Sequence, residues 1–481
     1  MRILLTGATG YIGKRLLPVL VKNGHHVICC VRDVNRFSPP DSIRSFIDVI
    51  QVDFLDNTTL DNIPKDIDAA YYLIHSMSTS NEYEKLEEIA AKNFKDTING
   101  TRVKHVIYLS GIVNGDHLSK HLSSRKNVEQ LLMDGHFKLT TLRAGIIIGS
   151  GSASFEIIRD LVEKLPMMIA PKWLNTKCQP IGIRDVLLFL EKSLLNEKVF
   201  DQNFDIGGPN ILSYKEMLLA FAKFRKLNRR IYTIPIMTPR LSSYWLYFVT
   251  STSYNLATSL VESMKIEVVC RDTKINGILN VEPEEYKKAL HRAFTKIDAN
   301  QIVSSWKDSQ VSGVKRFNIS DFMDVPTFGC FKDVQQRAVI SNEDTIQKIW
   351  SIGGTNGWYY ANILWKIRGL IDKIYGGVGL RRGRTNPTSL KSGDALDFWR
   401  VLYANKSEGR LLLFAEMKLP GEAWLEFKIK NNKLIQTATF RPHGILGRLY
   451  WYSVLPFHGI VFKGMINEIT KPKKDSDLHA G

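Results

Sequence analysis

Three residues about a quarter of the way along the chain have the chemistry of a proton-handling site. Ser110 closes the apolar run "KHVIYLSGI", and "HLSSRKNVEQ" begins about eleven residues later, placing His121 and Arg125 four apart. On a helix, residues four apart share a face. An imidazole has a reference pKa of about 6.5, which a neighbouring guanidinium depresses. His121 is therefore expected to be neutral near pH 7, able to relay or accept a proton but a feeble donor. Arg125 offers planar, permanently charged donors. The same spacing also fits a polar pair on a helix face with no chemistry.

Such residues need elements that bring them to one edge of a sheet. The chain opens "MRILLTGATGYIGKRLLPVLVKNG": an apolar run, a glycine turn, then helical periodicity. Gly7 permits a tight turn, Gly10 lets the backbone approach a pyrophosphate, and Gly13 allows close strand–helix packing. The helix N-terminus adds unpaired N–H groups. Thr6, Gly7, Thr9, Gly10, Tyr11, Ile12 and Gly13 are thus the expected cradle of a dinucleotide.

The next strand, "HHVICCVRD", ends in Arg32. An arginine there pairs with a 2′-phosphate and favours NADP over NAD. The alternative is that Arg32 is a solvated surface charge and Asp33 reads the ribose. "VIQVDFLD" puts Asp53 at a strand end, where it accepts from the adenine amino group or serves as a turn or N-cap residue. "AAYYLIHSM" ends in His75 and Ser76, as "KHVIYLSGI" ends in Ser110 and Gly111. The carboxyl ends of parallel strands are where an open α/β sheet binds its ligand. Ser76 joins the cofactor candidates and His75 the catalytic ones, a packing histidine being the other reading.

A chain of 481 residues has room for two or three domains and a substantial core. Apolar content of 44% and charged content of 23% are those of an ordinary globular protein. The net charge of +17 favours anionic partners, but no nucleic-acid module is recognisable, so specific nucleic-acid binding is not expected. Five cysteines without a CxxC pair suggest neither a disulfide scaffold nor a zinc site, and point to a reducing, cytoplasmic compartment. The N-terminus lacks the pattern of a signal peptide. Residues 231–261 are aromatic and apolar but hold two prolines and an arginine, so no transmembrane helix is expected there. They read as helical core, a cover over a substrate cleft, a lipid-like substrate site, or a peripheral contact with an anionic membrane.

"TGATGYIG", Arg32, "YLSGI", "LRAGIIIGSGS" and "FDIGGP" resemble the atypical and extended short-chain dehydrogenase/reductases, including the NmrA-like branch, over roughly residues 1–300. "HLSSRKNVE", "QPIGIRDV" and "TPRLSSYW" are similar to its YbjT-like bacterial subgroup. The resemblance implies an α/β Rossmann-like doubly wound parallel sheet with a substrate-facing region after about residue 145. It also implies that a serine polarises the substrate carbonyl, a tyrosine donates the proton, and a lysine holds the ribose hydroxyls. Ser110 fits the serine. His121 and Arg125 stand where the family's Tyr-x-x-x-Lys would be.

Residues 304–332 read as a linker. Beyond it "LDFWRVLY", "GRLLLFAEMK", "EAWLEFKI" and "KLIQTATF" form an antiparallel meander. A terminal helix should follow, with Tyr450, Val454, Phe457, Val461 and Met465 as its buried stripe and Pro456 as a kink. A sheet closed over a long helix is an α+β helix-grip shape. "GDALDFWRV" and "YWYSVLPFHGIVFKGM" resemble the domain of unknown function fused to this reductase subgroup and related to START-like (SRPBCC) domains, over about 333–474. Trp358, Trp365, Trp399, Trp424 and Trp451 would line an apolar pocket or serve as core. "GGVGLRRGR", with Arg381, Arg382 and Arg384, is an anion-binding loop or a solvated basic turn. Residues 475–481 are expected to be a disordered tail.

The organisation expected is therefore 1–303 for cofactor binding, 304–332 as linker and 333–474 as the helix-grip domain. The expected activity is NADP(H)-dependent reduction of a hydrophobic carbonyl or quinone-like substrate, NAD being the other nucleotide open. A non-catalytic NADP(H)-binding regulatory or assembly protein is the alternative, and a lipid carrier a third.

Overall fold

Along the first strand, β1 (Arg2–Leu5), the side chains alternate between two cores. Ile3 and Leu5 join one buried cluster with Leu16, Leu17 and Leu20 of helix α1 (Gly13–Lys22), while Leu4 joins another with Phe94 and Leu132. A strand buried on both faces is the mark of a parallel sheet covered by helices. Burying each such leucine contributes roughly 1.5–3 kcal/mol.

The computed structural model describes residues 1–34, 37, 39, 41–74, 83–114, 120–234, 261–262, 264–298, 325, 330–379, 384, 389–442 and 444–472. The chain divides into two compact units, 1–315 and 316–481. In the first, β1 is flanked by β2 (His26–Val31) and β3 (Ile47–Gln51) on one side. On the other side stand β4 (Ala69–Tyr72), β5 (His105–Gly111), β6 (Lys138–Ala144) and β7 (Gln202–Ile206). All neighbouring pairs run parallel, in the order β7-β6-β5-β4-β1-β2-β3. Helices α2 (Tyr83–Asn99) and α3 (Lys120–Met133) contribute to one core. Helix α1 and a helix over Ile183–Ser193 contribute to the other.

After β6 the chain builds a third cluster, in which Phe155 and Phe221 meet Phe294 at ring separations of 5.4 and 5.5 Å. Ser152 caps the helix Ala153–Lys164, and Ser213 with Glu216 forms a capping box at Tyr214–Phe224. The helix Ile183–Ser193 starts at Gly182 without a side-chain cap, and Asp185 in its first turn accepts at Oδ2 from the Glu284 N–H.

In the second unit a six-stranded antiparallel sheet runs β8 (Phe331–Ala338), β13 (Lys433–Pro442), β12 (Gly421–Lys430), β11 (Arg410–Ala415), β10 (Trp399–Asn405), β9 (Ala395–Leu396). A long helix, Gly444–Thr470, packs along it. Leu425 and Phe427 are buried while Lys428 is exposed, the alternation of a half-buried strand. The edge strand β8 begins at Phe331, inside the stretch expected as linker. Its residues 332–338 are largely polar and carry no two-residue apolar period.

Three expectations for this unit change. Phe457 is exposed; the buried stripe runs through Trp451, Val461, Met465 and Ile469, and the helix continues through Pro456. Trp424 lies in a separate cluster with Leu402, Leu412 and Phe414, since it neighbours the inward Leu425 on the strand. The five tryptophans therefore do not line one pocket. Arg384 donates to the carbonyls of Ile352, Trp350 and Ser389, so its guanidinium serves the local fold and not an open anion loop. Burial brings its pKa down to about 10. Arg381, Arg382, most of 231–261 and the tail 475–481 lie outside the described residues.

Candidate active site

The sheet reverses direction of travel between β1 and β4, and a crevice at such a switch point is where doubly wound sheets bind ligands. Gly7 sits there with φ +66°, and a Cβ on it would stand 2.7 Å from the Leu73 carbonyl oxygen, just past β4. At Gly13 a Cβ would fall 2.3 Å from the Gly7 carbonyl oxygen. Gly10 donates to that carbonyl at 2.9 Å, closing the turn before α1. No other residue fits at positions 7 and 13, and the first turn of α1 directs its N–H groups to the loop. These residues fit the diphosphate of a dinucleotide.

Thr6 is buried and works within the sheet. Its Oγ1 donates to the Tyr71 carbonyl at 3.0 Å and accepts from the Leu73 N–H at 3.1 Å, tying β1 to β4. Thr9, Tyr11 and Ile12 are half-buried in the loop. The Tyr11 ring packs under the Arg15 guanidinium, 4.0 Å from its centroid, and burial pushes the phenol up to about 12. Arg15 also donates to the Ser150 carbonyl at 2.8 Å, clamping the cradle to the loop after β6. Sequence reading passed over Arg15. Its place two residues after Gly13, in a helix turn otherwise facing the core, was the available signal.

Arg32 is exposed just beyond the end of β2, whereas Asp33 is buried, at 4% exposure. Asp53 Oδ1 accepts from the Leu55 N–H at 3.0 Å, so the turn role is realised in this structure. His75 and Ser76 lie outside the described residues.

Ser110 ends β5 with its side chain buried. Its Oγ has no well-formed hydrogen bond among the described residues, although it influences the Tyr108 phenol. Arg125 comes from α3, and its Nη1 donates to the Leu109 carbonyl at 3.0 Å. The structure thus brings Ser110 and Arg125 to the same strand end. His121 lies in the first turn of α3, and nothing is described of its side chain.

Two anchors hold α3 in place. Ser124 donates to the buried Glu87 of α2, and Glu129 receives a bidentate pair from Arg143 of β6 at 2.7 and 3.0 Å. Behind them burial raises the Tyr72 phenol well above its ordinary value and the Tyr108 phenol above its own, so neither is an acid near neutrality. Gln179 links the later loops, donating to the Gly208 carbonyl at 2.7 Å and accepting from the Cys270 N–H at 2.9 Å. No group of His, Cys, Asp or Glu among the described residues could hold a metal ion.

Comparison with known proteins agrees with this architecture. Residues 7–148 match the NAD(P)H-binding family and residues 330–465 the protein family of unknown function DUF2867. Divinyl chlorophyllide a 8-vinyl-reductase of Arabidopsis thaliana is 24% identical over 226 residues, 44% of this chain and 54% of that protein. The Cucumis sativus enzyme is 26% identical over 223 residues, 43% and 52% of the two chains. The chain spans about half the length of these curated relatives. Among solved structures, triphenylmethane reductase of Citrobacter sp. complexed with NADP(H) superposes with a TM-score of 0.50 at 12% identity, covering 61% of this chain and all of that one (100%). A UDP-glucuronic acid 4-epimerase from Bacillus cereus in complex with NAD gives 0.45 at 17% identity, covering 62% and 99%. The chain thus carries a Rossmann-like NAD(P)-binding region, matching the NAD(P)H-binding family over residues 7–148, and a C-terminal region that matches DUF2867 over residues 330–465.

Proposed function

We propose that this protein is an NADPH-dependent reductase of a hydrophobic carbonyl or quinone-like substrate. The observation that carries this reading is the convergence of the glycine cradle with Ser110 and Arg125 at one edge of the sheet. Bound NADPH would supply the hydride. Gly7, Gly10 and Gly13 would admit its diphosphate. Arg32, exposed beside a buried Asp33, would pair with the 2′-phosphate. The Ser110 hydroxyl would donate to the substrate carbonyl oxygen, and Arg125 to the ribose hydroxyls. His121 is assigned the proton relay, and His75 a ligand contact, on sequence position alone. The curated relatives are named as reductases, which supports a reductase without naming this chain's substrate. A cytoplasmic setting is part of the same proposal.

The test is NADPH consumption by purified protein against panels of carbonyls and quinones. Turnover is expected, with Ser110→Ala lowering kcat on the order of 100-fold or more. Arg32→Ser should raise the Kd for NADPH about tenfold, a loss near 1.4 kcal/mol, and leave NADH unchanged. Tight cofactor binding without consumption, insensitive to Ser110→Ala, would overturn the enzyme reading. It would favour a non-catalytic NADP(H)-binding regulator, which the engagement of Arg125 by a backbone carbonyl and the missing tyrosine and lysine also support.

A further inference from the structure

In the C-terminal unit, the helix Asn362–Ile374 turns an apolar stripe away from its own core. Ile363, Ile367, Leu370 and Ile374 follow the i, i+4, i+7, i+11 spacing of one helix face, and all are exposed, Ile363 at 70%. The inward face of the same helix holds Trp365, Gly369 and Asp372. The terminal helix does likewise: Leu449, Tyr452 and Ile460 are exposed, Tyr452 at 61%. From Leu449 to Phe462 it carries no Lys, Arg, Asp or Glu. The two helices touch, with the Trp365 and Phe462 rings 6.1 Å apart and the Arg368 guanidinium 5.5 Å from the Tyr450 ring centroid. Apolar side chains exposed in stripes on two adjoining helices, and not scattered singly, are the kind of surface that marks an interaction site.

The exposed charges beside it are mainly basic, the acidic groups at the terminal helix being Asp333, 4.0 Å from His458, and Glu468 near its end. Lys366 on the first helix and Arg448 and Lys463 on the second are exposed. Lys418 is exposed too, its amine 3.3 Å from where a Gly376 Cβ would stand, beyond the first helix's end. The acidic residue of the first helix, Asp372, is buried and accepts from the Gly379 and Lys418 N–H groups. Apolar side chains bordered by lysine and arginine are the pattern of a helix lying in a bilayer interface rich in anionic headgroups. No described helix is long and apolar enough to cross a membrane, which fits a surface contact. We propose that this two-helix face docks the protein on the surface of an anionic lipid bilayer.

The test is co-sedimentation of the full-length protein with sucrose-loaded vesicles. Expected are pelleting with phosphatidylcholine–phosphatidylglycerol vesicles, little with phosphatidylcholine alone, and release as salt rises. Ile367→Asp and Ile460→Asp should each cut binding about tenfold or more, with Tm unchanged because both side chains are exposed. Lys463→Glu should weaken binding to the anionic vesicles. The proposal is overturned if the protein does not pellet with anionic vesicles, or if the aspartate variants pellet like the wild type. It is equally overturned if sedimentation velocity shows a wild-type dimer that those variants dissociate, since a second copy would then cover the face.

Discussion

Arg125 Nη1 holds the Leu109 carbonyl at 3.0 Å, so the guanidinium is anchored one residue short of Ser110. A guanidinium carries five N–H donors in a fixed fork, so one can hold that carbonyl while others face a ribose. Arg125→Ala should therefore lose both, lowering stability by about 1–3 kcal/mol and weakening NADPH binding about tenfold. Arg125→Lys should lower the melting temperature while retaining measurable binding. Fluorescence titration with NADPH together with thermal melts checks this, and unchanged affinity in Arg125→Ala would reduce Arg125 to a clamp on the strand.

Two glycines of the cradle, Gly10 and Gly13, should fail differently. At Gly13 an added Cβ would meet backbone at 2.3 Å, so Gly13→Ala must displace α1 from its loop. At Gly10 the nearest atom is 3.1 Å away, a contact that gives by a few tenths of an ångström. Gly13→Ala is expected to lower both Tm and NADPH affinity. Gly10→Ala should keep Tm within a few degrees and lose affinity, because its methyl occupies the approach of the diphosphate. Equal effects of the two in a melt and a binding isotherm would place the diphosphate elsewhere.

The parallel sheet and the glycine cradle were legible because both write themselves locally, as apolar runs and as glycines that no other residue replaces. The serine at the end of β5 was legible for the same reason. The ties between distant segments were not. Arg15 to Ser150, Gln179 to Gly208 and Cys270, and Ser124 to Glu87 are single polar contacts across 29 to 135 positions of sequence. Nothing in a local pattern announces them. In the C-terminal unit the central strands were clear from alternation, but the polar edge strand β8 was not. The helical face was misjudged because apolar residues surround that helix on several sides, so periodicity could not tell Phe457, exposed, from Trp451, buried.

Buried His105 makes a pH prediction. Its Nδ1 accepts from the Leu195 N–H at 3.0 Å, which leaves Nε2–H to donate to Thr140 Oγ1 at 2.8 Å. Both nitrogens are thus used by the neutral ring, and burial pulls the pKa down to about 4. Because the folded value lies below the unfolded one, about 6.5, this contribution is fully present above pH 6.5 and is lost as pH falls toward 4. The difference is worth on the order of 3 kcal/mol. Denaturant midpoints of the N-terminal unit should fall over that window, and His105→Gln should flatten the fall. A His105→Gln profile parallel to the wild type would locate the acid sensitivity in other groups.

In the C-terminal unit Arg400 and Glu416 form a two-point ion pair at 2.9 and 3.2 Å, with side chains 0% and 2% exposed. A third donor of the arginine reaches the Gly393 carbonyl at 2.8 Å. Removing one partner strands a buried charge, whereas removing both trades the pair for apolar contact. Glu416→Gln should cost about 3–5 kcal/mol, and the double variant Arg400→Met with Glu416→Leu should cost far less or nothing. Tryptophan fluorescence during urea unfolding reads this, because Trp358, Trp365 and Trp399 share the core beside the pair. If the double variant is as unstable as the single one, the pair is specifying the register of β10 against β11 as well as neutralising its own charges.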